Sequence, residues 1–346
     1  MKKTGRVILL DEATARPPYP LRLDTRPIPE PGPDQIRVRI RAAGVAYADV
    51  TMRHGLYPGV PARPFAPGYD IAGDVDAVGA AVTDFAVGDR VAALTFIGGY
   101  ADYIVIATDY VAPIPDSVDY PTATSLVLNY VTAQQMLHRV ARVRAGQTLL
   151  VHGAAGGVGT ALLDLARHLD VTVFGTASAG KHDQVRRLGG DPIDYRNHDF
   201  VAVMSERSDG ADVVFDHLGG AHLRRSRQVL KRGGRVVCYG TASAVGGGRW
   251  WTVLATFANI LAISLRPGYR ASFYGILIAP FDKKRYIGED LKAVLDMAAR
   301  GEIAPVIGAK VPLEEAERAH RLMEDRAVVG KIVLTTAADD SNHAES

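Results

Sequence analysis

Residues 149–169, LLVHGAAGGVGTALLDLARHL, set Gly153, Gly156 and Gly159 between a strand-like apolar run and an amphipathic helix-like run. Glycines there let the chain turn tightly and let backbone N–H groups approach a pyrophosphate. They also let the next helix lie close on a sheet, its N-terminus facing the negative charge. The spacing G-x-x-G-x-x-G departs from the commoner G-x-G-x-x-G, but a triplet placed strand–turn–helix within a βαβ run reads as a dinucleotide site. An NAD site wants an acid at the end of the second strand to hold the ribose hydroxyls. No acid occurs over 171–181; Ser178 and Lys181 stand there instead and suit a 2′-phosphate. The expected cofactor is therefore NADPH, the plainer reading of Lys181 being a solvated first-turn lysine.

Metal chemistry finds little support. The single cysteine, Cys238, excludes a disulfide framework and an all-cysteine metal site within one chain. Asp49, His54 and Asp70 without a thiolate or a histidine pair make a poor zinc set. Lys+Arg 40 against Asp+Glu 38 leaves +2, with no basic run, so nucleic acid is not an expected partner. Four apolar residues after the N-terminal lysines are too few for a signal-peptide core. The 16-residue stretch 250–265 falls short of the about 20 a spanning helix wants and reads as a buried or pocket-wall helix. The expected compartment is the cytoplasm.

The elements that must position these residues form two regions, as a length of 346 suggests at roughly 150 residues per domain. Before about residue 116 the chain is β-rich: 5–10, 35–42, 69–78, 89–94 and 100–106 are short apolar or alternating runs, with Ile36, Val38 and Ile40 alternating against Arg37, Arg39 and Arg41. From 147 strands alternate with helices (148–152, 158–169, 171–175, 181–188, 212–216, 223–230, 235–240), which implies right-handed βαβ units and a parallel sheet. A further strand at 271–278, helices at 288–300 and 313–323 and a strand at 330–334 come after. The parse is a β-rich domain split into 1–125 and 271–336, an α/β domain over 126–270, and a disordered polar tail at 337–346.

Nine segments in order now carry a resemblance: 41–59, 67–79, 85–91, 98–106, 128–137, 151–159, 214–220, 233–240 and 328–334. The chain resembles the medium-chain dehydrogenase/reductase superfamily, in its zinc-free quinone-oxidoreductase and enoyl-reductase branch. The resemblance implies an α/β protein with a GroES-like catalytic domain and a Rossmann domain, a cofactor in the cleft between them, and a homodimer. The zinc enzymes carry Cys where this chain has Ala46 and a His-Glu pair where it has Tyr69-Asp70, so Tyr69 is expected to fill space a zinc ligand would occupy. Carried over by position, the cofactor residues are Gly153, Gly156, Gly157, Val158 and Gly159 at the pyrophosphate, Ser178, Lys181 and Tyr195 at the 2′-phosphate, and Asn129 and Thr132 near the nicotinamide. Leu218 and Gly219 follow the fourth Rossmann strand, and Tyr239 and Gly240 the fifth.

Without a metal there is no Lewis acid to make an alkoxide, which favours acceptors already polarised: enones, enoyl thioesters and quinones. A tyrosine can supply the proton. Tyr47 is the first choice and Tyr57 the second, with mere pocket lining as the alternative for both. Asp49 reads as a structural partner or cap, or as a base. The stretch 250–265, with Trp250, Trp251 and Phe257, could roof a large apolar substrate, pack internally or form a dimer contact. The expected activity is zinc-independent NADPH-dependent reduction of an activated C=C bond or a quinone in a small apolar molecule. The alternatives are a tailoring enzyme of the same fold and a non-catalytic NADPH-binding sensor or structural protein.

Overall fold

The computed structural model describes residues 3–336 apart from 13, 15, 58, 245–248 and 277–282, and the side chains of 249–250 and 283–285 are also outside the description. The tail at 337–346 and the Trp250 side chain therefore lie outside the described residues. The chain divides into two compact units, Met1–Val131 with Lys284–Ser346, and Thr132–Lys283. No described helix is long and apolar enough to cross a membrane.

The first unit opens with β1 (Thr4–Leu10), β2 (Leu21–Pro27), β3 (Gln35–Val45), α1 (Tyr47–Arg53) and β4 (Asp70–Val78). β5 (Arg90–Leu94), β6 (Tyr103–Ala107), β7 (Val111–Pro113) and α2 (Tyr120–Ser125) follow. A helical run then crosses into the second unit: a π-helical stretch Leu126–Tyr130, α3 (Val131–Gln134) and a second π-helical stretch Gln135–Ala141. The second unit continues with β8 (Thr148–Val151), α4 (Gly157–Ala166), β9 (Thr172–Ala177), α5 (His182–Arg187), β10 (Asp191–Asp194) and α6 (Phe200–Arg207). It ends with β11 (Ala211–Asp216), α7 (His222–Gln228), β12 (Leu230–Cys238), α8 (Arg249–Ser264) and β13 (Arg270–Phe273). α9 (Lys283–Ala299), β14 (Ile307–Pro312), α10 (Ala316–Glu324) and β15 (Lys331–Thr335) return to the first unit.

In the first unit the strand order is β14-β15-β3-β4-β5-β7, with β6 on β3. The alternation in β3 does what its period requires: Ile36, Val38 and Ile40 are buried, while Arg37 and Arg41 turn outward to Asp76 (2.6 Å) and Asp74 (2.7 Å) on neighbouring β4. In the second unit six parallel strands run β10-β9-β8-β11-β12-β13. That order reverses between β8 and β11, the switch point at which doubly wound sheets bind ligands. α4 is buried nearly all round, from Gly159 to Ala166, so its amphipathic reading understates how deeply it packs.

Two expectations need correction. The boundary at 271 is displaced, because 270–273 forms β13, the sixth strand of the parallel sheet, in register from Arg235↔Arg270 to Cys238↔Phe273. A four-residue strand has no period that names its sheet; its partner is settled by tertiary pairing alone. Residues 126–131 likewise group with the first unit. The second concerns α8, read as a buried or pocket-wall helix or a dimer contact, of which full burial is the reading that fails. It buries Thr256 and Ile263 but exposes Leu254, Phe257 and Leu261, with Trp251 80% and Leu265 74% accessible. Missing charge in the sequence does not tell a covered apolar face from an open one.

The part of the first unit that comes from the chain's end is fastened by a buried ion pair, Lys331 Nζ to Asp70 Oδ2 at 2.6 Å. Lys331→Met should cost about 3–5 kcal/mol, because it leaves a buried carboxylate uncompensated. Burial pushes the Asp70 carboxyl up and Lys331 draws it down. Burial wins, so the folded-state value already lies above the unfolded one, and in the variant, without Lys331, it rises further; the penalty therefore grows as pH rises above about 4. Urea midpoints of both proteins at pH 4.5 and 7.5 check this: the gap should be wider at 7.5.

Candidate functional site

The glycine turn leaves β8 and enters α4. Gly153 has φ +66°, and a Cβ there would meet the His217 ring 2.5 Å away. A Cβ on Gly159 would collide with Gly153 O and stand 2.8 Å from Ala154 Cα, so α4 can begin directly over the turn only with glycine there. Its N-cap is Gly156, which brings no side-chain oxygen to the first-turn amides. Those amides and the helix dipole suit a phosphate. Thr176 near the end of β9 holds the turn from beside it, accepting Gly153 N–H on Oγ1 (3.1 Å) and Ala154 N–H on its carbonyl (3.0 Å).

Ser178 and Lys181 follow β9 in one tight turn, with Lys181 N donating to Ser178 O at 2.9 Å. The Ser178 side chain does not cap that turn. Tyr195 follows β10, the neighbouring strand, and is exposed. The loops after β11 and β12 are bound to each other: Tyr239 N donates to Asp216 O (2.9 Å) and Ser243 N to Leu218 O (3.2 Å). The structure thus gathers Gly153, Gly156, Gly157, Val158, Gly159, Ser178, Lys181, Leu218, Gly219, Tyr239 and Gly240 at the carboxyl ends of four adjacent strands. Asn129 and Thr132 are buried on the helical run that carries the chain from the first unit into the second.

Sequence reasoning passed over the residue that organises this face. Asp216 is fully buried; its Oδ1 accepts Leu218 N (2.8 Å) and Gly219 N (3.0 Å), and its Oδ2 accepts His222 Nδ1 (2.8 Å) and Ser226 Oγ (2.7 Å). Burial alone would push the carboxyl up, but these donors and the facing His152 hold it well below the usual carboxylate range. Burial pushes the His152 imidazole down to about 3, so it is neutral. The motif VFDHLGG was the available signal, since an acid closing a buried strand must find donors.

The first unit holds a second cluster. Tyr47 opens α1 and is exposed on one side, whereas Tyr57 hydrogen-bonds through its hydroxyl to the hydroxyl of buried Tyr69. The aromatic row continues edge to face from Tyr57 to Tyr69 (6.2 Å), Phe96 (5.7 Å) and Tyr110 (5.5 Å). Burial pushes both the Tyr57 and the Tyr69 phenols up, so each stays protonated at neutral pH. Asp49 has the structural role: Oδ2 accepts Ala46 N (2.9 Å) and Tyr100 Oη (3.2 Å), and Oδ1 accepts Gly68 N (3.0 Å). It thereby ties the loops on which Tyr47 and Tyr69 sit.

Two family descriptions match the chain: alcohol dehydrogenase GroES-like domain over residues 32–116 and zinc-binding dehydrogenase over residues 188–334. The synaptic vesicle membrane protein VAT-1 homolog of Danio rerio is 36% identical over 311 residues, 87% of this chain; the match spans 64% of that relative's length. The quinone oxidoreductase of Mus musculus is 30% identical over 318 residues, covering 89% of this chain and 91% of its own. The structure of Escherichia coli quinone oxidoreductase complexed with NADPH matches with a TM-score of 0.86 and 26% identity, over 95% of this chain and 99% of that one. The two units are those of a superfamily of oxidoreductases, a GroES-like unit and a Rossmann unit. This chain belongs to that medium-chain dehydrogenase/reductase superfamily, in the quinone-oxidoreductase-like branch.

Asp49→Asn places an NH₂, with two protons to donate, against the donors Ala46 N, Gly68 N and Tyr100 Oη, where the carboxyl carries one proton at most. It should cost about 1–3 kcal/mol at pH 5. Burial pushes the Asp49 carboxyl up to about 7 despite the amides of Ala46 and Gly68. The folded state then holds more protons than the unfolded one between about pH 4 and 7, so wild-type stability falls with rising pH across that window. The Asn variant lacks this titration, and the gap between the two denaturation midpoints should narrow from pH 5 to pH 7.5.

Proposed function

We propose that this protein is a zinc-independent, NADPH-dependent oxidoreductase that delivers hydride to a small apolar acceptor, either an activated C=C bond or a quinone. The observation that carries the reading is the state of the positions where zinc enzymes of the superfamily keep ligands. Ala46 has no donor atom, the Tyr69 hydroxyl is engaged by Tyr57, and Asp70 is locked to Lys331. A phenol and an already paired carboxylate do not make the three-ligand set of a catalytic zinc site.

Bound NADPH would supply the hydride. The first-turn amides of α4, over Gly156, Gly157, Val158 and Gly159, would hold the pyrophosphate. Ser178 and Lys181, with Tyr195 at the rim, would take the 2′-phosphate, since no acid stands in 171–181 to repel it. Asn129 and Thr132 are assigned to the nicotinamide end, and Leu218, Gly219, Tyr239 and Gly240 to the wall behind it. The proton would come from a phenol. The hydroxyl pair favours Tyr57 over Tyr47, because Tyr69 orients the Tyr57 hydroxyl. We also propose a homodimer in the cytoplasm, closed over the edge strand β13 and the apolar stripe of α8 beside it.

Two measurements test this. Lys181→Ala should weaken NADPH roughly tenfold or more and leave NADH nearly unchanged, because only NADPH has the phosphate to lose; equal losses in a fluorescence titration would sink the 2′-phosphate assignment. With a chelator present throughout, Tyr57→Phe should slow turnover of an enone by about 10²–10⁴-fold at unchanged NADPH affinity. A quinone should suffer less, since its reduced oxyanion is a weaker base. If Tyr47→Phe is the crippling change the roles exchange, and if neither slows the enone tenfold the proton comes from water.

A further inference from the structure

His152, Asp216 and His222 bring one ligand atom each within 4.8 Å of one another, the one such group among the described residues. Their hydrogen bonds point to a role other than metal binding. A fully buried, ionised Asp216 can only accept, so the Ser226 hydroxyl must give its proton to Oδ2 at 2.7 Å. Ser226 Oγ can then only accept from His152 Nε2 (3.2 Å), which fixes the imidazole proton on Nε2 and leaves Nδ1 as the acceptor. Nδ1 faces Thr176 Oγ1 at 3.3 Å, and Thr176 Oγ1 in turn accepts Gly153 N–H. Each proton in this chain has one permitted direction. At one end stands the glycine turn after β8; at the other, through Asp216 Oδ1, stand the amides of Leu218 and Gly219 after β11. The Phe200 and His222 rings pack against His152 at 4.7 and 4.5 Å between centroids and keep the chain dry.

We propose that Thr176, His152, Ser226 and Asp216 are positioning residues that lock the glycine turn and the 217–220 loop into one fixed spacing across the sheet's switch point, and that dinucleotide affinity depends on this lock. The proposal rests on the reading that these two loops bind NADPH. Strands β8 and β11 stay paired up to Val151↔Phe215, and His152 N donates to Phe215 O at 3.0 Å; beyond that point the two backbones part in opposite directions. The four side chains carry the connection past the last ladder bond, to Gly153 on one side and to the amides of Leu218 and Gly219 on the other.

The test is a double-mutant cycle with Thr176→Val and Ser226→Ala, each of which removes one hydroxyl with little change in shape. Each single variant should raise the NADPH Kd roughly five- to twentyfold. With a quinone acceptor the KM for NADPH should rise while kcat at saturation stays within about twofold, a split that general loosening of the fold would not give. The double variant should be no worse than about the weaker single variant, since a chain cut once carries nothing further; losses that multiply would overturn the lock. A second arm needs no nucleotide. Amide hydrogen exchange should quicken in both 152–160 and 216–222 for either single variant, and quickening confined to the segment nearer the substitution would overturn the proposal. If the wild type binds no NADPH while exchange stays coupled, the cofactor reading fails and the mechanical lock stands. Stoichiometric zinc or manganese in the washed protein, lost in His222→Ala, would assign the cluster to a metal and overturn the proposal as well.

Discussion

A parallel sheet exposes its working face where strands end, and at that edge backbone amides lose their ladder partners. At the end of β11 the shortage is met by one buried carboxylate. Asp216 accepts two amides from its own loop and two side-chain donors from α7, and its backbone carbonyl takes Tyr239 N from the next loop. A charge so deep is tolerated only because every acceptor position is filled. The loops after β11 and β12 take their placement from this fixed anion, while Thr176 holds the glycine turn after β8.

The first unit solves a different problem, since its sequence arrives in two pieces. Lys331 reaches Asp70 across 261 positions, Arg53 meets Glu317 at 2.8 Å, and His54 meets Glu324 at 2.8 Å. Tyr100 joins Asp49 to His320, adding a buried polar link to α10. The pairs at Arg53 and His54 fasten the end of α1 to α10, while Asp49 and Tyr19 hold it from its own part of the chain. Hydrophobic burial brings the two pieces together without direction. The buried polar pairs give that packing a single register, because a shift by one position would strand a charge.

The features legible in the sequence were those set by period and by spacing. The alternation in β3 and the strand–turn–helix around Gly153 to Gly159 each state a local requirement, and each appears in place. The features that could not be read depend on partners distant in the chain. β13 is too short to declare its sheet, α8 carries an apolar face whose cover the sequence does not specify, and Lys331 resembles any strand lysine until Asp70 lies beneath it. Ser226 and His152, 74 positions apart, give no local sign that one hydroxyl joins them.

The paired phenols show how the proposed chemistry selects its acceptor. A phenol whose pKa is raised by burial is a poor acid toward weak bases and a serviceable one toward strong bases. Carbon protonation of an enolate offers a strong base, whereas the oxyanion of a reduced quinone does not. On the proposed mechanism Tyr57 would therefore contribute most with an enone and least with a quinone, and Tyr69, at a position where the zinc enzymes keep a ligand, would orient the Tyr57 hydroxyl rather than hold a metal.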